Sequence, residues 1–283
     1  MARVTRFAPS PSGPLHLGHA CAALIAAERG DRFLLRIEDI DRARCKPEWE
    51  AAIYDDLRWL GLVWAPPVMR QSERGAAYEA ALAQLSHMGL TYLCTCTRGD
   101  IRAALSAPQE GAVIGPDGPV YPGTCRGKGH ETGALRLDMG AAMARLGAVA
   151  FSDSGTRPGL HCFDAGQMRR EVGDIVLARK DIGVAYHLAV VVDDAAQGIT
   201  EVTRGEDLFE ATAIHVVLQR LLDLPTPAYH HHGLIRDDQG KRLAKRDDAR
   251  ALAKYRAEGA TPQDIRRLVG LAPVSLKKPD RFL

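Results

Sequence analysis

The chain has 283 residues, of which 46% are hydrophobic and 25% are charged, and its formal net charge at pH 7 is +2. The composition indicates a soluble globular protein, and the length suits one catalytic domain with an insertion. The small net charge excludes a strongly basic protein that coats nucleic acid, but it allows a local basic surface. No apolar run resembles a signal peptide or could span a bilayer, so we expect a cytoplasmic protein without membrane contact.

The first 90 residues alternate between strand and helix patterns. Apolar runs bounded by turn residues predict strands, and apolar residues at helical spacing predict helices. This order favours a doubly wound α/β sheet. The predicted strands cover 4–8 and 32–39, and the predicted helices cover 17–30, 47–60 and a stretch from a Ser72 cap to about Gly89.

The amino-acid composition changes from Tyr92 to about Gly173, where glycine and proline are frequent and cysteines cluster. Alternation then resumes in "DIVLAR", "VAYHLAVVVDD" and "ITEVTRG", followed by a helix at about 210–223 and a polar tail with two modest helical patterns. We therefore divide the chain into a catalytic domain's first half (1–93), an insertion (94–173), the second half (174–235) and a loop with a short helical tail (236–283).

Two histidines stand at the start of the first predicted helix, in "GPLHLGHA" (13–20). A helix N-terminus favours phosphate, and imidazoles there can donate hydrogen bonds to phosphoryl oxygens as charge develops. Gly18 allows a nucleotide to approach the backbone. We predict that His16 and His19 bind a nucleotide; the alternative is that they are surface or helix-capping residues.

A second candidate lies in "DQGKRLAKRDDA" (238–249), where Lys241, Arg242, Lys245 and Arg246 follow a glycine. Lysine is a mobile point charge suited to a leaving pyrophosphate. Taken alone, this stretch could be a solvated basic loop. Together with the histidine pair at the other end of an α/β pattern, it favours a triphosphate site.

Five stretches resemble the glutamyl branch of the class I aminoacyl-tRNA synthetases in order and spacing. The resemblance implies a Rossmann-like doubly wound parallel sheet with a zinc-containing insertion. It covers the chain from Arg6 to about Arg250, and its motifs are specific as a set. The stretches are "RFAPSPSGPLHLGHA" (HIGH-like), "RIEDIDRAR", "GDIVLARKDIGVAYHLAVVVDD", "ITEVTRGEDL" and "GKRLAKR" (KMSKS-like).

Two departures from the glutamyl-tRNA synthetases stand out. Ala244 replaces the serine of KMSKS and removes a hydroxyl near the phosphates, and too few residues follow Lys245 for an anticodon-binding domain. The short paralogues of this branch attach glutamate to the queuosine base in the anticodon of tRNA(Asp), and we expect that function. The alternatives are a compact enzyme that charges the tRNA 3′ end and a catalytically silent tRNA-binding paralogue.

The resemblance also implies the roles of individual residues. It assigns catalysis to His16, His19 and Lys245, and ATP binding, with Mg²⁺, to these three and Gly18. The sequence does not assign the two arginines to particular carboxylates of glutamate, and it does not show how the tRNA docks. We expect a monomer, and nothing in the sequence requires a larger oligomer. Glu38 could instead be a strand-end carboxylate paired with Arg36 or Arg42. The glutamate site implied by the resemblance comprises Arg6, Phe7, Ala8, Pro9, Ser10, Glu38, Tyr186 and Arg204.

Three cysteines, Cys94, Cys96 and Cys125, are suited to a structural tetrahedral zinc site with a fourth ligand. By spacing alone the fourth ligand would be His130, whereas the resemblance implies Tyr121. Three free thiols are the alternative. The run "HHH" (230–232) is interpreted as a strand end near the nucleotide rather than a metal site, because neighbouring strand residues point to opposite faces.

Overall fold

The computed structural model describes residues 2–105, 113–181, 183–235 and 250–273. The first 90 residues alternate strand and helix, with the two predicted strands and three predicted helices present and a third strand, Ala65–Arg70, that was not predicted. Its elements are β1 (Val4–Phe7), α1 (Leu17–Arg29), β2 (Arg32–Ile37), α2 (Pro47–Trp59), β3 (Ala65–Arg70) and α3 (Gly75–His87).

The strands β1, β2 and β3 form a parallel sheet in that order. Phe33, Leu34 and Leu35 in β2 are all buried, as expected of a central strand covered on both faces. Pro47 stands in the first turn of α2, where a missing backbone N–H costs nothing. Leu24 of α1 and Ile53 of α2 belong to one apolar core against this sheet.

The prediction that Ser72 caps the third helix is wrong. The backbone N–H and the hydroxyl of Ser72 donate to the Asp39 carboxylate, at 2.8 Å and 2.6 Å, and so tie this residue to the end of β2 instead. Residues 71–73 form a 3₁₀ turn, and α3 begins only at Gly75.

The middle of the chain contains short strands and helices. Its hairpin of β5 and β6 carries Asp117 in the turn. The elements are β4 (Thr91–Cys94), α4 (Arg98–Leu105), β5 (Ile114–Gly115), β6 (Gly118–Pro119), β7 (Ala134–Leu137), α5 (Met139–Leu146), β8 (Ala148–Asp153), β9 (Gly159–Asp164) and the helical turn α6 (Ala165–Gln167).

The remaining elements complete the fold, and "VAYHLAVVVDD" is mostly helical. Asp193 and Asp194 therefore lie on a helix. The elements are β10 (Val176–Arg179), β11 (Gly183–Val184), α7 (Tyr186–Ala196), β12 (Glu201–Gly205), α8 (Thr212–Leu221), β13 (Ala228–His232), α9 (Leu252–Ala257) and α10 (Pro262–Leu268).

The second sheet has the order β12-β13-β8-β9, with β12, β13 and β8 parallel and β9 antiparallel. It adjoins the first sheet, because the Thr200 N–H just before β12 donates to the Val4 carbonyl of β1 at 3.0 Å. The strands β4, β7, β10 and β11 form a separate antiparallel sheet. The predicted α/β fold with a parallel sheet is confirmed.

The described part of the tail, residues 250–273, contains two short helices, in line with its helical patterns. Helix α10 begins after a Thr261 cap, with Pro262 in its first turn, and packs its Ile265 into the core beside α1. Just before α9, the Leu252 N–H donates to the Leu15 carbonyl at 2.8 Å. In the part of the chain described, no helix has both the length and the apolar character needed to cross a membrane.

Candidate functional site

A cavity of about 840 Å³ opens beside the carboxyl ends of β1, β2, β12 and β13. In an open parallel sheet, this edge is where ligands bind. The predicted site residues Arg6 and Arg204 do not line the cavity. Those that do are Phe7, Ala8, Pro9, Ser10, His16, Gly18, His19, Glu38 and Tyr186.

His16 and His19 together cap the N-terminus of α1. The Gly18 N–H donates to Nδ1 of His16 at 3.1 Å, and the His16 N–H donates to Nδ1 of His19 at 3.2 Å. Because both Nδ1 atoms accept, each neutral ring carries its proton on Nε2 and can donate a hydrogen bond from that atom. Helix capping, the alternative role, therefore occurs and also orients both rings in the cavity wall.

A buried carboxylate, Asp194, joins two buried arginines. Arg6 donates to both its oxygens, at 2.9 Å and 3.3 Å, and Arg36 donates to one of them at 2.6 Å. The third nitrogen of Arg6 donates to the Thr203 carbonyl. Asp194 and Thr203 thus hold all three nitrogens of Arg6 behind the cavity wall.

Glu38 lies at the end of β2, between this cluster and the cavity. Arg36 donates to one of its carboxylate oxygens at 3.1 Å, so the predicted alternative pairing with Arg36 exists. Burial raises the pKa of Glu38 above its usual value, against the lowering effect of Arg36 and Arg6. Glu38 still lines the cavity, where a cationic ligand would stabilise its charged form.

We expect Asp194→Asn to lower the free energy of unfolding by about 3–5 kcal/mol, because Arg6 and Arg36 would stay buried without their shared counter-ion. Urea denaturation at pH 7 measures this. Glu210→Gln, which breaks an exposed pair with Arg157, is the control, and its cost should stay below about 1 kcal/mol. Equal losses in the two variants would contradict the role given to Asp194.

The contribution of Asp194 to stability depends on pH. Burial alone would raise its pKa, but Arg6 and Arg36 outweigh burial and lower the pKa below its usual value. Because the folded pKa is depressed, the stabilisation is present above the unfolded pKa of about 4 and is lost as pH falls below it.

Arg204, at the end of β12, is buried among neutral partners. Its Nε donates to Nε2 of His231 at 3.2 Å, Nη1 to Nδ1 of His215 at 2.9 Å, and Nη2 to Oγ1 of Thr212 at 2.5 Å. Within the described ranges, no carboxylate oxygen lies within 4.0 Å of this guanidinium. A buried cation without a counter-ion favours an anionic ligand.

Tyr186 connects the cavity to this buried arginine. Its ring lines the cavity and lies 5.8 Å, between centroids, from the ring of His215, which contacts Arg204. Arg204 therefore contacts a ring that packs against a cavity-lining residue. Gly205, the next residue along β12, lines the cavity itself.

The cavity is also lined by Gln71, which the sequence did not assign to the site, by Asp207, and by His232 of the "HHH" run that was interpreted as a strand end near the nucleotide. Asp207 lies two residues beyond the end of β12, at the edge of the sheet where ligands bind. Nδ1 of His232 lies 2.9 Å from the Gly233 carbonyl and so carries the proton, while its buried Nε2 has no hydrogen-bond partner among the described residues. That atom can accept a hydrogen bond from a ligand.

The predicted catalytic Lys245 lies outside the described residues, as does the whole KMSKS-like stretch (240–246). The residues on either side of segment 236–249 are described. Ile235 lines the cavity, and Ala251 forms a bridge with His16. Ile235 and Ala251, which are described, therefore lie at or beside the cavity wall.

Three cysteines come together beside β4. The Sγ atoms of Cys94, Cys96 and Cys125 lie within 4.8 Å of one another and could hold a metal ion. The Tyr121 hydroxyl lies 3.3 Å from Sγ of Cys94 and 3.4 Å from Sγ of Cys96, whereas His130 does not belong to this group. The donor set fits a soft or borderline metal such as zinc.

The chain matches the family model described as tRNA synthetases class I (E and Q), catalytic domain, over residues 3–283. It is 63% identical to the glutamyl-Q tRNA(Asp) synthetase of Rhodobacter capsulatus over 281 residues, covering 95% of this chain and 100% of that protein. It is 45% identical to the glutamyl-Q tRNA(Asp) synthetase of Nocardia farcinica over 276 residues, covering 95% and 85%.

A solved structure is also similar. This is a glutamate tRNA ligase from Elizabethkingia meningosepticum in complex with its amino acid, with a TM-score of 0.74 and 28% identity. The match covers 95% of this chain and 60% of the ligase, so this chain spans about three fifths of that protein's length.

Proposed function

Because this chain belongs to the class I glutamyl- and glutaminyl-tRNA synthetase family, we propose that it activates glutamate with ATP and transfers the glutamate to the queuosine base in the anticodon of tRNA(Asp). It is then an ATP-dependent ligase. The observation that carries the proposal is that the histidine-capped helix N-terminus, Glu38 and Tyr186 line one and the same cavity, with Arg204 buried nearby.

Arg204 is the proposed partner of the glutamate side-chain carboxylate. It is a buried cation close to the cavity that contacts no carboxylate among the described residues, and two further N–H groups remain beyond its three contacts. Glu38 would bind the substrate ammonium, and residues 7–10 with Tyr186 would enclose the amino acid. Arg6, held by Asp194, would act mainly through its charge.

The α1 N-terminus is the proposed site of the ATP α-phosphate. His16 and His19 would donate from Nε2, and the helix dipole adds partial positive charge at the same place. Gly18 lines the cavity between them. We further propose that Lys245 binds the leaving pyrophosphate, and a Mg²⁺ ion bound with ATP would neutralise phosphate charge.

The reaction then has two steps. The α-carboxylate of glutamate attacks the α-phosphate in line and pyrophosphate leaves, while His16 and His19 stabilise the charge that develops on the phosphoryl oxygens. A hydroxyl of the queuosine base next attacks the carbonyl of the glutamyl-adenylate, and AMP leaves. The protein orients both reactants and excludes water, and none of its side chains forms a covalent bond with them.

Zinc is the proposed metal of the cysteine cluster, with Tyr121 as the fourth ligand. The ion would link β4 to residues 121–125 and would stabilise this part of the fold rather than take part in the reaction. The Arg136 guanidinium lies 3.9 Å from the centroid of the Tyr121 ring, and this cation–π contact helps to hold the ring beside the cysteines.

We expect about one zinc ion per wild-type chain and far less in Cys125→Ala, because a tetrahedral site cannot be completed without this thiolate. Elemental analysis of the purified protein measures the content. Cys162→Ala, which removes an exposed cysteine outside the cluster, is the matched control and should keep its zinc. Tyr121→Phe should weaken zinc binding, and His130→Ala should not. The reverse result would show that His130, and not Tyr121, is the fourth ligand.

The proposed function is tested with ATP, labelled glutamate and tRNA(Asp) that either carries or lacks queuosine. We expect label on the RNA only when queuosine is present. Label on queuosine-free tRNA(Glu) would instead indicate a compact enzyme that charges the 3′ end. The absence of glutamate-dependent pyrophosphate exchange would indicate a silent tRNA-binding protein. We propose that the enzyme acts as a monomer in the cytoplasm.

A further inference from the structure

We propose that two histidine arms position Arg204 for glutamate, each arm holding the guanidinium through a neutral imidazole and ending in a carboxylate that does not touch it. This proposal rests on the proposed role of Arg204 in binding glutamate. One arm runs through His231 to Asp153, and the other runs through His215 and His187 to Asp117.

The first arm has a defined proton arrangement. Arg204 Nε–H can only donate, so Nε2 of His231, 3.2 Å away, must accept. The ring proton of a neutral His231 therefore lies on Nδ1, which donates to the Asp153 carboxylate at 2.8 Å. His231 and Asp153 have fully buried side chains, so water does not compete for these contacts.

The second arm follows the same logic over a longer path. Nδ1 of His215 accepts from Arg204 at 2.9 Å, so its proton lies on Nε2 and is donated to Nδ1 of His187 at 3.0 Å. His187 then carries its proton on Nε2, which lies 3.4 Å from the Asp117 carboxylate. Asp117 belongs to the β5–β6 hairpin, so this arm links the middle region of the chain to the substrate site.

Arg204 must be held in a fixed orientation and must keep its positive charge available for the substrate carboxylate, and this arrangement meets both requirements. A carboxylate in direct contact would hold the guanidinium but would also compete with the substrate carboxylate. Imidazole acceptors hold its orientation and leave its charge without a contacting anion, while Asp153 and Asp117 fix the ring tautomers from the far side. The histidines therefore act as positioning residues and do not contact glutamate.

The surroundings of both rings favour the neutral form that this requires. Burial and Arg204 lower the pKa of His231 to about 4, against the opposing effect of Asp153, and the neighbouring His230 also lowers it. Burial and Arg204, followed by His187, Arg6 and His231, lower the pKa of His215 well below its usual value. If either ring took up a second proton, the nitrogen that accepts from Arg204 would become a donor, and the hydrogen bond would be lost.

The proton positions are tested directly by the ring ¹⁵N chemical shifts of the wild-type protein at pH 7. We expect the Nδ1–H form for His231 and the Nε2–H form for His215, with the signals assigned from His231→Gln and His215→Asn spectra. An imidazolium, or the opposite tautomer at either ring, would overturn the proposal. This readout does not depend on any activity with glutamate.

The positioning role is tested by steady-state kinetics of glutamate-dependent pyrophosphate exchange. His231→Leu removes the acceptor, whereas His231→Gln places an amide oxygen near the position of Nε2. We expect His231→Leu to raise KM for glutamate by about 10- to 100-fold and to leave KM for ATP within about threefold. His231→Gln should restore KM for glutamate to within about fivefold of wild type.

Equal losses in the leucine and glutamine variants, or a parallel rise in KM for ATP, would contradict the positioning role. His215→Leu and His215→Asn give the same comparison in the second arm if His231→Leu does not fold, as judged by thermal unfolding. If the wild-type protein shows no glutamate-dependent exchange, the proposed function fails, and the ¹⁵N spectrum still decides whether the histidines hold Arg204.

Discussion

Arg204→Met should lower kcat/KM for glutamate in ATP–pyrophosphate exchange by roughly 100- to 1,000-fold, the loss expected when one partner of a buried charge pair is removed. Methionine keeps much of the length and apolar character of the side chain, so the charge is the main change. The effect should appear largely in KM for glutamate, because Arg204 binds the same carboxylate before and during the reaction.

Arg157→Met is the matched control for Arg204→Met. Arg157 pairs with the exposed Glu210 and lies over the Phe209 ring, and it does not line the cavity. Its replacement should change kcat/KM for glutamate by less than about threefold. A similar loss in both variants, or an Arg204→Met enzyme with unchanged kinetics, would remove Arg204 from the glutamate site.

His16→Asn and His19→Asn should each lower kcat for pyrophosphate exchange by roughly 100- to 1,000-fold, the effect of losing one donor to a charge that develops in the transition state. Asparagine is suited to this test because its side-chain oxygen can replace the Nδ1 acceptor of the cap while the Nε2 donor is lost. The α1 N-terminus should therefore keep its structure in both variants.

The control for the histidine variants is His87→Asn, at the exposed end of α3. It should leave kcat unchanged within about twofold. Thermal unfolding of all three variants shows whether the helix cap is disturbed, and kcat shows whether a hydrogen-bond donor to the phosphate is lost. A fall in unfolding temperature without a fall in kcat would reduce His16 and His19 to the helix-capping role.

Much of the fold follows from local patterns in the sequence. The apolar run of β2 and the proline-started pattern of α2 identify these elements because their signals lie within a few residues. The start of α3 was missed because it depends on a contact between Ser72 and Asp39, which are 33 residues apart. Local propensity carries no information about such a partner.

The part of the candidate site that is formed by residues close in sequence could also be predicted. The histidine pair and residues 7–10 are adjacent in the sequence and line one cavity. The environment of the two arginines could not be predicted, because Arg6 meets Asp194 across 188 residues and Arg204 meets His231 across 27. Their different partners, a carboxylate for Arg6 and neutral groups for Arg204, distinguish them only in three dimensions.

The most direct test of the account is a crystal structure of the protein with a non-hydrolysable glutamyl-adenylate analogue. We predict that the side-chain carboxylate of the analogue lies about 3 Å from the Arg204 guanidinium and that the phosphate replacement lies at the α1 N-terminus, within about 3 Å of Nε2 of His16 or His19. An analogue bound elsewhere, or bound in this cavity with its carboxylate away from Arg204, would contradict the account.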